Sequence, residues 1–307
     1  MKSAAAARNV PAGKREATPS SEDRAIRGFS LPGMLYRGAL LILLLIAVSA
    51  IVPQWVAPYA PTEMNTDALL QPPGLAHLFG TDYFGRDVFS LVVHGSRDSL
   101  LIGLGSVLIG GLLGGLIGSL SGYVGGAVDA LLMRLIDVLM TIPGLLLSLA
   151  VAAALGPSLF NIVLAVSIAA VPRYARVVRS QVLSIKSRPF ITASRSIGAG
   201  GWHIFVRHVL PHTWTPLLVM ATIGVGSSIL SGAALSFLGL GVLKEVPDWG
   251  TLLSQGRGYL TVAWWITTFP GLAITGLVLA VNLVGDRLRD VLDPKLMPRH
   301  HERRMSP

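Results

Sequence analysis

Long apolar runs recur along this chain at Gly38–Val52, Leu100–Leu120, Ala130–Leu155, Leu159–Val171, Pro216–Leu238 and Val262–Val284. Backbone in hydrocarbon finds no water to bond, so runs near the roughly 20 residues that cross a bilayer must be helices paired within themselves. The sequence therefore predicts an all-α, polytopic membrane protein with six transmembrane helices. Composition agrees: charged residues are 13% and hydrophobic residues 52% of the chain, where soluble domains carry about a quarter charged. The first run is short, and Tyr36, Arg37 and Trp55 extend it as interfacial anchors. Val48-Ser49-Ala50 also matches a signal-peptide cleavage site, a reading disfavoured by the long basic lead and the later spans.

The formal net charge is +9. The cations sit in tails and loops beside the apolar runs, so the orientation of spans accounts for them and nucleic acid is not needed as a partner. Pro53–Ser99 is net acidic, with Glu63, Asp67, Asp82, Asp87 and Asp98 against Arg86 and Arg97, and belongs outside. Arg173, Arg176, Arg179, Lys186 and Arg188 cluster after the fourth run; Arg287, Arg289, Lys295, Arg299, Arg303 and Arg304 crowd the end. Both termini are predicted to be cytoplasmic. The expected division is a tail at 1–35, a first span at 36–56, an extracytoplasmic loop at 57–98, a five-helix core at 99–285 containing a cytoplasmic loop at 187–211, and a tail at 286–307. No cysteine occurs, so neither disulfides nor thiolate chemistry contribute.

The loop Pro189–Pro211 is polar, basic and structured. Ile191–Ile197 is expected to form one short helix, Gly198, Gly200 and Gly201 break it, and Trp202–Val209 is expected to form a second, stopped by Pro211. Two short helices protruding from a membrane domain make a handle for another protein. Glycines punctuate the second run, and Gly111 and Gly115 have small-xxx-small spacing, which predicts close helix packing within the subunit in preference to a dedicated dimer face. No internal repeat is evident.

Several residues carry two readings. Asp137 with Arg134 one turn earlier is a structural pair or part of a pathway, since ionisable groups within spans cost about 2.5–3.5 kcal/mol. Pro143 and Gly144 are expected to interrupt the third helix. Phe79–Asp87 is a capping turn or a place where Asp82, Arg86 and Asp87, with Trp249, dock a binding protein. His208 and His212 are four apart, but no Cys or carboxylate completes a metal site. The sequence has no GxxxxGK[ST] loop, HExxH or GxSxG, so this polypeptide is expected to be neither an ATPase nor one of the commoner hydrolases.

Residues Thr192, Ala193, Ser194, Gly198, Ile204, Leu210 and Pro211 resemble the coupling loop of ABC importer permeases, with Thr192 where that family has Glu and Ser194 where it has a second Ala. The ordered set Phe79-Gly80-Thr81-Asp82, Gly85-Arg86-Asp87, Ile142-Pro143-Gly144, Ser236–Gly241, Trp249-Gly250, Phe269-Pro270-Gly271, Asn282–Asp286 and Leu292-Asp293-Pro294 is similar to the second (C-type) permease of dipeptide, oligopeptide and nickel ABC importers. The resemblance implies a type I importer permease in the bacterial inner membrane. Its implied partners are a second homologous permease in a heterodimer, two cytoplasmic ATPases that bind ATP and Mg, and an extracytoplasmic binding protein. No cofactor in this chain is implied. The alternative is an ion-coupled secondary transporter, which needs buried ionisable sites; apart from Arg134 and Asp137 the spans offer almost none.

Overall fold

The computed structural model describes residues 31–242 and 244–292. Residues 1–30 and 293–307, and with them most of the two expected tails, lie outside the described residues. The main helices are α1 (Leu31–Ile51), α2 (Val88–Val124), α3 (Gly126–Thr141), α4 (Gly144–Leu155), α5 (Leu159–Lys186), α6 (Pro189–Ser196), α7 (Gly201–Leu240), α8 (Trp249–Gly256) and α9 (Trp265–Leu292). Five are long and apolar enough to cross a membrane, and α3 with α4, bent by 93° at their junction, makes up to six. The bend falls at Ile142-Pro143, where Pro lacks a donor and forces the residue before it out of the helical region; Ile142 has φ −91° and ψ 127°.

Several helices outrun the apolar runs that predicted them, α2 and α5 among them. Val88–Ser99, expected in an external loop, is the first part of α2, because the Asp87 carboxylate accepts from Ser90 N at 2.8 Å and caps the helix there. α5 continues past Val171 to Lys186. The stop expected at Pro211 is absent: a π-helical turn at Phe205–Val209, with Leu210 N bonded back to Phe205 O, widens the helix just before the proline. The ring is accommodated and α7 runs on into the fifth span.

Close approaches at glycine fix the directions of the helices. A Cβ on Gly114 would lie 2.7 Å from Val171 O, on Gly118 2.3 Å from Ala175 O, and on Gly122 3.0 Å from Arg179 O. Both numberings rise together, so α2 and α5 run parallel and the bent α3–α4 pair must return the chain between them. Gly103 meets Ile229 while Gly224 meets Val107, so α7 is antiparallel to α2; Gly226 meets Val278 while Gly285 meets Thr222, so α9 is antiparallel to α7. The C-terminal ends of α2, α5 and α9 thus share one end of the bundle with α6 and the start of α7. The glycine seam is one register step from the pair expected: Gly111 has nothing within 4 Å, and Gly115 meets only Leu217. It does lie within the subunit, as predicted. The largest core cluster joins Leu91, Tyr174, Ile229, Trp249, Ile266 and Leu277.

Candidate coupling surface and polar cavity

The hairpin of α6 and the first turns of α7 is anchored from beneath. Ile191, Ile204 and Val209 are buried against Val178, Val182 and Ile185 of α5. At the end of α6, Gly198 N bonds to Arg195 O at 3.0 Å and Ala199 N to Ser194 O at 3.1 Å. These are the paired bonds of a Schellman cap, which needs a left-handed residue after the helix, and Gly198 has φ +86°. Lys186 Nζ donates to Gly122 O at 3.1 Å and Tyr123 O at 2.7 Å, a cation on the last carbonyls of α2. The Tyr123 hydroxyl donates to Gly201 O. Four separate elements are therefore tied together at this end.

The outer surface of the hairpin is apolar and basic. Ile197 and Trp202 are 86% and 77% exposed, Thr192, Ala193, Arg195, Arg207 and Pro211 are exposed, and Ser194 and Leu210 are half-buried. No acidic residue occurs between Asp137 and Glu245. His212 Nδ1 lies 2.6 Å from His208 O and its ring stacks on Phe190 at 5.6 Å, so these histidines pack on the hairpin.

The Arg134–Asp137 pair does not form. Asp137 instead accepts from Arg176 Nη2 of α5 at 2.6 Å, and Asp129 is held in a fork by Arg179 Nε and Nη2, each at 2.6 Å. The cross-helix partner wins because Arg176 and Arg179 lie one turn apart on the face of α5 turned to α3. Sequence spacing puts Arg173, Arg176 and Arg179 on one face, but only packing says what that face meets.

The four residues expected to dock a binding protein point inward. Asp82, Arg86, Asp87 and Trp249 are 2%, 5%, 3% and 1% exposed. Asp82 pairs with Arg86, Asp87 caps α2 and accepts from His77, and Trp249 Nε1 donates to Val92 O at 2.8 Å. Together they knit the end of the bundle opposite the hairpin; the alternative reading of a capping turn describes Asp82, Arg86 and Asp87, while Trp249 packs on α2 from α8. Gly80 and Gly85 permit the turn, since a Cβ would strike Gln71 O at 2.6 Å and Asn65 O at 1.9 Å.

Sequence reasoning missed Asp248 in this cap. Its carboxylate accepts from Thr251 N at 2.9 Å, capping α8, and from Ser236 Oγ at 2.9 Å. Burial pushes its pKa up, opposed by those hydrogen bonds and reinforced by the nearby charge of Asp98. A carboxyl raised in the fold binds its proton more tightly there than in the unfolded chain. The stability it contributes is full below the ordinary carboxylate pKa of about 3.9 and is lost as pH rises through the raised value. Asp248→Asn, which keeps an acceptor for the cap, is expected to flatten the fall in melting temperature of the detergent-solubilised protein as pH rises above about 4. An unaltered slope would contradict this.

α4, α5 and α7 line a cavity of about 240 Å³ that includes Ser148, Arg173, Tyr174, Ser227, Ser228 and Ser231. Arg173 and Ser227 are exposed, so it opens at the surface of this subunit. Two of its walls, α5 and α7, lead directly into the hairpin.

This constellation has counterparts in known proteins. Residues 114–298 match the family described as binding-protein-dependent transport system inner membrane component. The chain is 48% identical over 265 residues to the di/tripeptide transport system permease protein DppC of Pseudomonas aeruginosa, covering 84% of this chain and 88% of that one. It is 45% identical over 271 residues to the glutathione transport system permease protein GsiD of Escherichia coli, covering 88% and 89%. Its fold matches a chain of the inward-facing MetNI methionine ABC transporter with TM-score 0.55 at 22% identity, over 66% of this chain and 96% of that one. With a helical bundle of five to six candidate spans, an anchored hairpin at one end and relatives aligned over most of their length, the chain belongs to the family of binding-protein-dependent transport system inner membrane components, as an ABC importer permease.

Proposed function

We propose that this chain is the second permease subunit of an ATP-driven importer of peptides, in the range from dipeptides to short oligopeptides. The cargo class rests on relatives named for di/tripeptides, D,D-dipeptides and glutathione. The observation that carries the mechanism is the hairpin at Pro189–Pro211: rigidly capped, anchored on α5, continuous with α7, and apolar and basic outside.

The assembly holds a second homologous permease, two cytoplasmic ATPases that bind ATP and Mg²⁺ and carry out all hydrolysis, and an extracytoplasmic binding protein. The hairpin end is cytoplasmic, with Arg and Lys clustered there, and both termini lie on that side. ATPase closure pushes on Thr192, Ala193, Ser194 and the exposed Ile197 and Trp202. Because α5 and α7 flank the hairpin without a flexible joint, displacement passes straight to the walls of the polar cavity, which opens alternately to each side. With Thr192 in place of a carboxylate, contact with the ATPase runs through the apolar patch and Arg195 and Arg207. The binding protein meets the opposite cap, whose exposed apolar side chains Leu75, Leu78 and Phe84 are held up by the buried Asp82–Arg86 pair.

Gly198→Val tests the coupling role. The site has open space around it, so valine is opposed only by the left-handed backbone, at about 1–2 kcal/mol. That strain is enough to shift a docking equilibrium about tenfold, and cargo-stimulated ATPase activity of the reconstituted complex should drop by a similar factor while the subunits still co-purify. Unchanged stimulated activity counts against the role, and purification of the chain with no ATPase or second permease attached counts against the assembly.

A further inference from the structure

The geometry points to Arg173 as a carboxylate-binding station inside the translocation cavity, whose lining also includes the hydroxyl-bearing residues Ser148, Tyr174, Ser227, Ser228 and Ser231. It rests on the peptide-importer reading, because a free peptide brings an α-carboxylate with it.

Tyr174, next to it on α5, packs against Gly114 of α2 and Gly224 of α7, both inside apolar runs (Leu100–Leu120 and Pro216–Leu238), so Arg173 lies within the bilayer rather than among the cytoplasmic cations with which its sequence position groups it. A cation there is costly unless it faces water or an opposite charge, and such residues mark transport paths. No acidic residue lines the cavity, and none is present in the sequence between Asp137 and Glu245. The two carboxylates of α3 are held by Arg176 and Arg179. Among the described residues Arg173 forms no ion pair, so none of them supplies its anion and the guanidinium is left to one that enters the cavity.

The surroundings suit a small zwitterion. A guanidinium grips a carboxylate through two parallel N–H bonds, and serines and glycines leave room for it. Ser148 and Ser227, both on the cavity lining, donate to Leu145 O at 2.8 Å and Gly224 O at 2.9 Å, so with their protons engaged their oxygens have lone pairs left to accept from ammonium or amide N–H groups. Gly224 is required beside them: a Cβ there would lie 2.2 Å from the Tyr174 hydroxyl. Because α5 and α7 both continue into the hairpin, the same movement that opens the cavity shifts Arg173 against the serines of α7, which weakens the grip and frees the cargo.

The absence of cysteine in this chain allows a test that does not depend on cargo. Ser227→Cys is placed in the full reconstituted transporter and labelled with an anionic (sulfonatoethyl) or a cationic (trimethylammonioethyl) methanethiosulfonate, the same complex without Ser227→Cys giving the background. Adding Arg173→Gln should lower the anionic-to-cationic rate ratio about tenfold, the effect of one unit charge at cavity distances. Arg173→Lys should keep the ratio, and Arg173→Met is the second neutral variant if the Gln variant does not assemble. A ratio indifferent to Arg173, as when a carboxylate of the second permease neutralises it, overturns the station. In the same vesicles dialanine uptake should fall about tenfold with the neutral variants and less with Lys, reflecting loss of the charge-assisted fork. Wild-type uptake with a shifted ratio overturns the carboxylate contact. A wild-type complex that moves neither dialanine nor trialanine overturns the peptide reading instead, and the labelling ratio still judges the charge of Arg173.

Discussion

Gly118→Val is expected to be the most damaging single change along the glycine seam, strongly reducing the yield of folded protein and its melting temperature. In lipid the helices gain nothing by hiding apolar surface from water, so α2 and α5 are held by the closeness of their backbones. Gly110, Gly114, Gly118 and Gly122 supply that closeness at four-residue intervals. At Gly118 the added Cβ would sit 2.3 Å from Ala175 O, 3.0 Å from Arg179 N and 3.1 Å from Ala175 C. All three are backbone atoms of a helix, so no side chain can swing aside and the helices must separate. Overpacking of this kind costs about 1–3 kcal/mol, occasionally more, and a clash with rigid backbone belongs at the upper end. Separation would also pull Arg179 from Asp129 and Lys186 from the end of α2, loosening the floor of the hairpin. Gly111→Ala is the control: nothing lies within 4 Å of that position, and the variant should melt with the wild type. Equal melting temperatures for Gly118→Val and wild type would show that the seam does not hold the bundle together.

How much of this could be seen in the sequence depends on which forces act locally. The six apolar runs are legible because bilayer thickness sets their length, and the break at Pro143 because proline acts on its own neighbours. Gly198 is legible for the same reason, a helix end needing a left-handed residue. Helix ends beyond the bilayer are not: α2 starts at Val88 because of the Asp87 side chain, and α5 extends to Lys186 because that lysine reaches the carbonyls of α2. Helix rotation is equally hidden, so Gly111 and Gly115 looked as suitable as Gly110 and Gly114. Sequence spacing offers Asp137 the cation nearest along the chain, Arg134, whereas its partner, Arg176, is on another helix. The charged residues of the outer cap looked available to a binding protein because charges in loops usually face water, and here they pair inside. The comparison with relatives adds the family, but Arg173 and Asp248 emerge only from packing.

Arg86→Ala is expected to destabilise the outer cap severely. Asp82 and Arg86 have side chains 2% and 6% exposed, with Arg86 Nη2 2.7 Å from Asp82 Oδ2 and Nε donating to the same oxygen at 2.7 Å. The second arm of the guanidinium, Nη1, donates to Glu245 O at 3.2 Å, joining the loop before α2 to the loop before α8. Asp82 Oδ1 meanwhile accepts from Phe84 N at 2.8 Å and Arg86 N at 2.9 Å, shaping the turn that presents Phe84. Alanine at 86 leaves the buried carboxylate its two backbone N–H donors but no cation, and breaking a buried pair from one side costs about 3–5 kcal/mol. Asp82→Asn in the same molecule removes the stranded charge while an amide oxygen can still accept from Phe84 N, so the double variant should recover much of the loss in melting temperature. Uptake that needs the binding protein should follow the same order, wild type above double variant above Arg86→Ala, since the apolar cap residues are held in place by this pair. If Arg86→Ala melts with the wild type, or if the double variant is no better than the single, the pair is not what holds the cap.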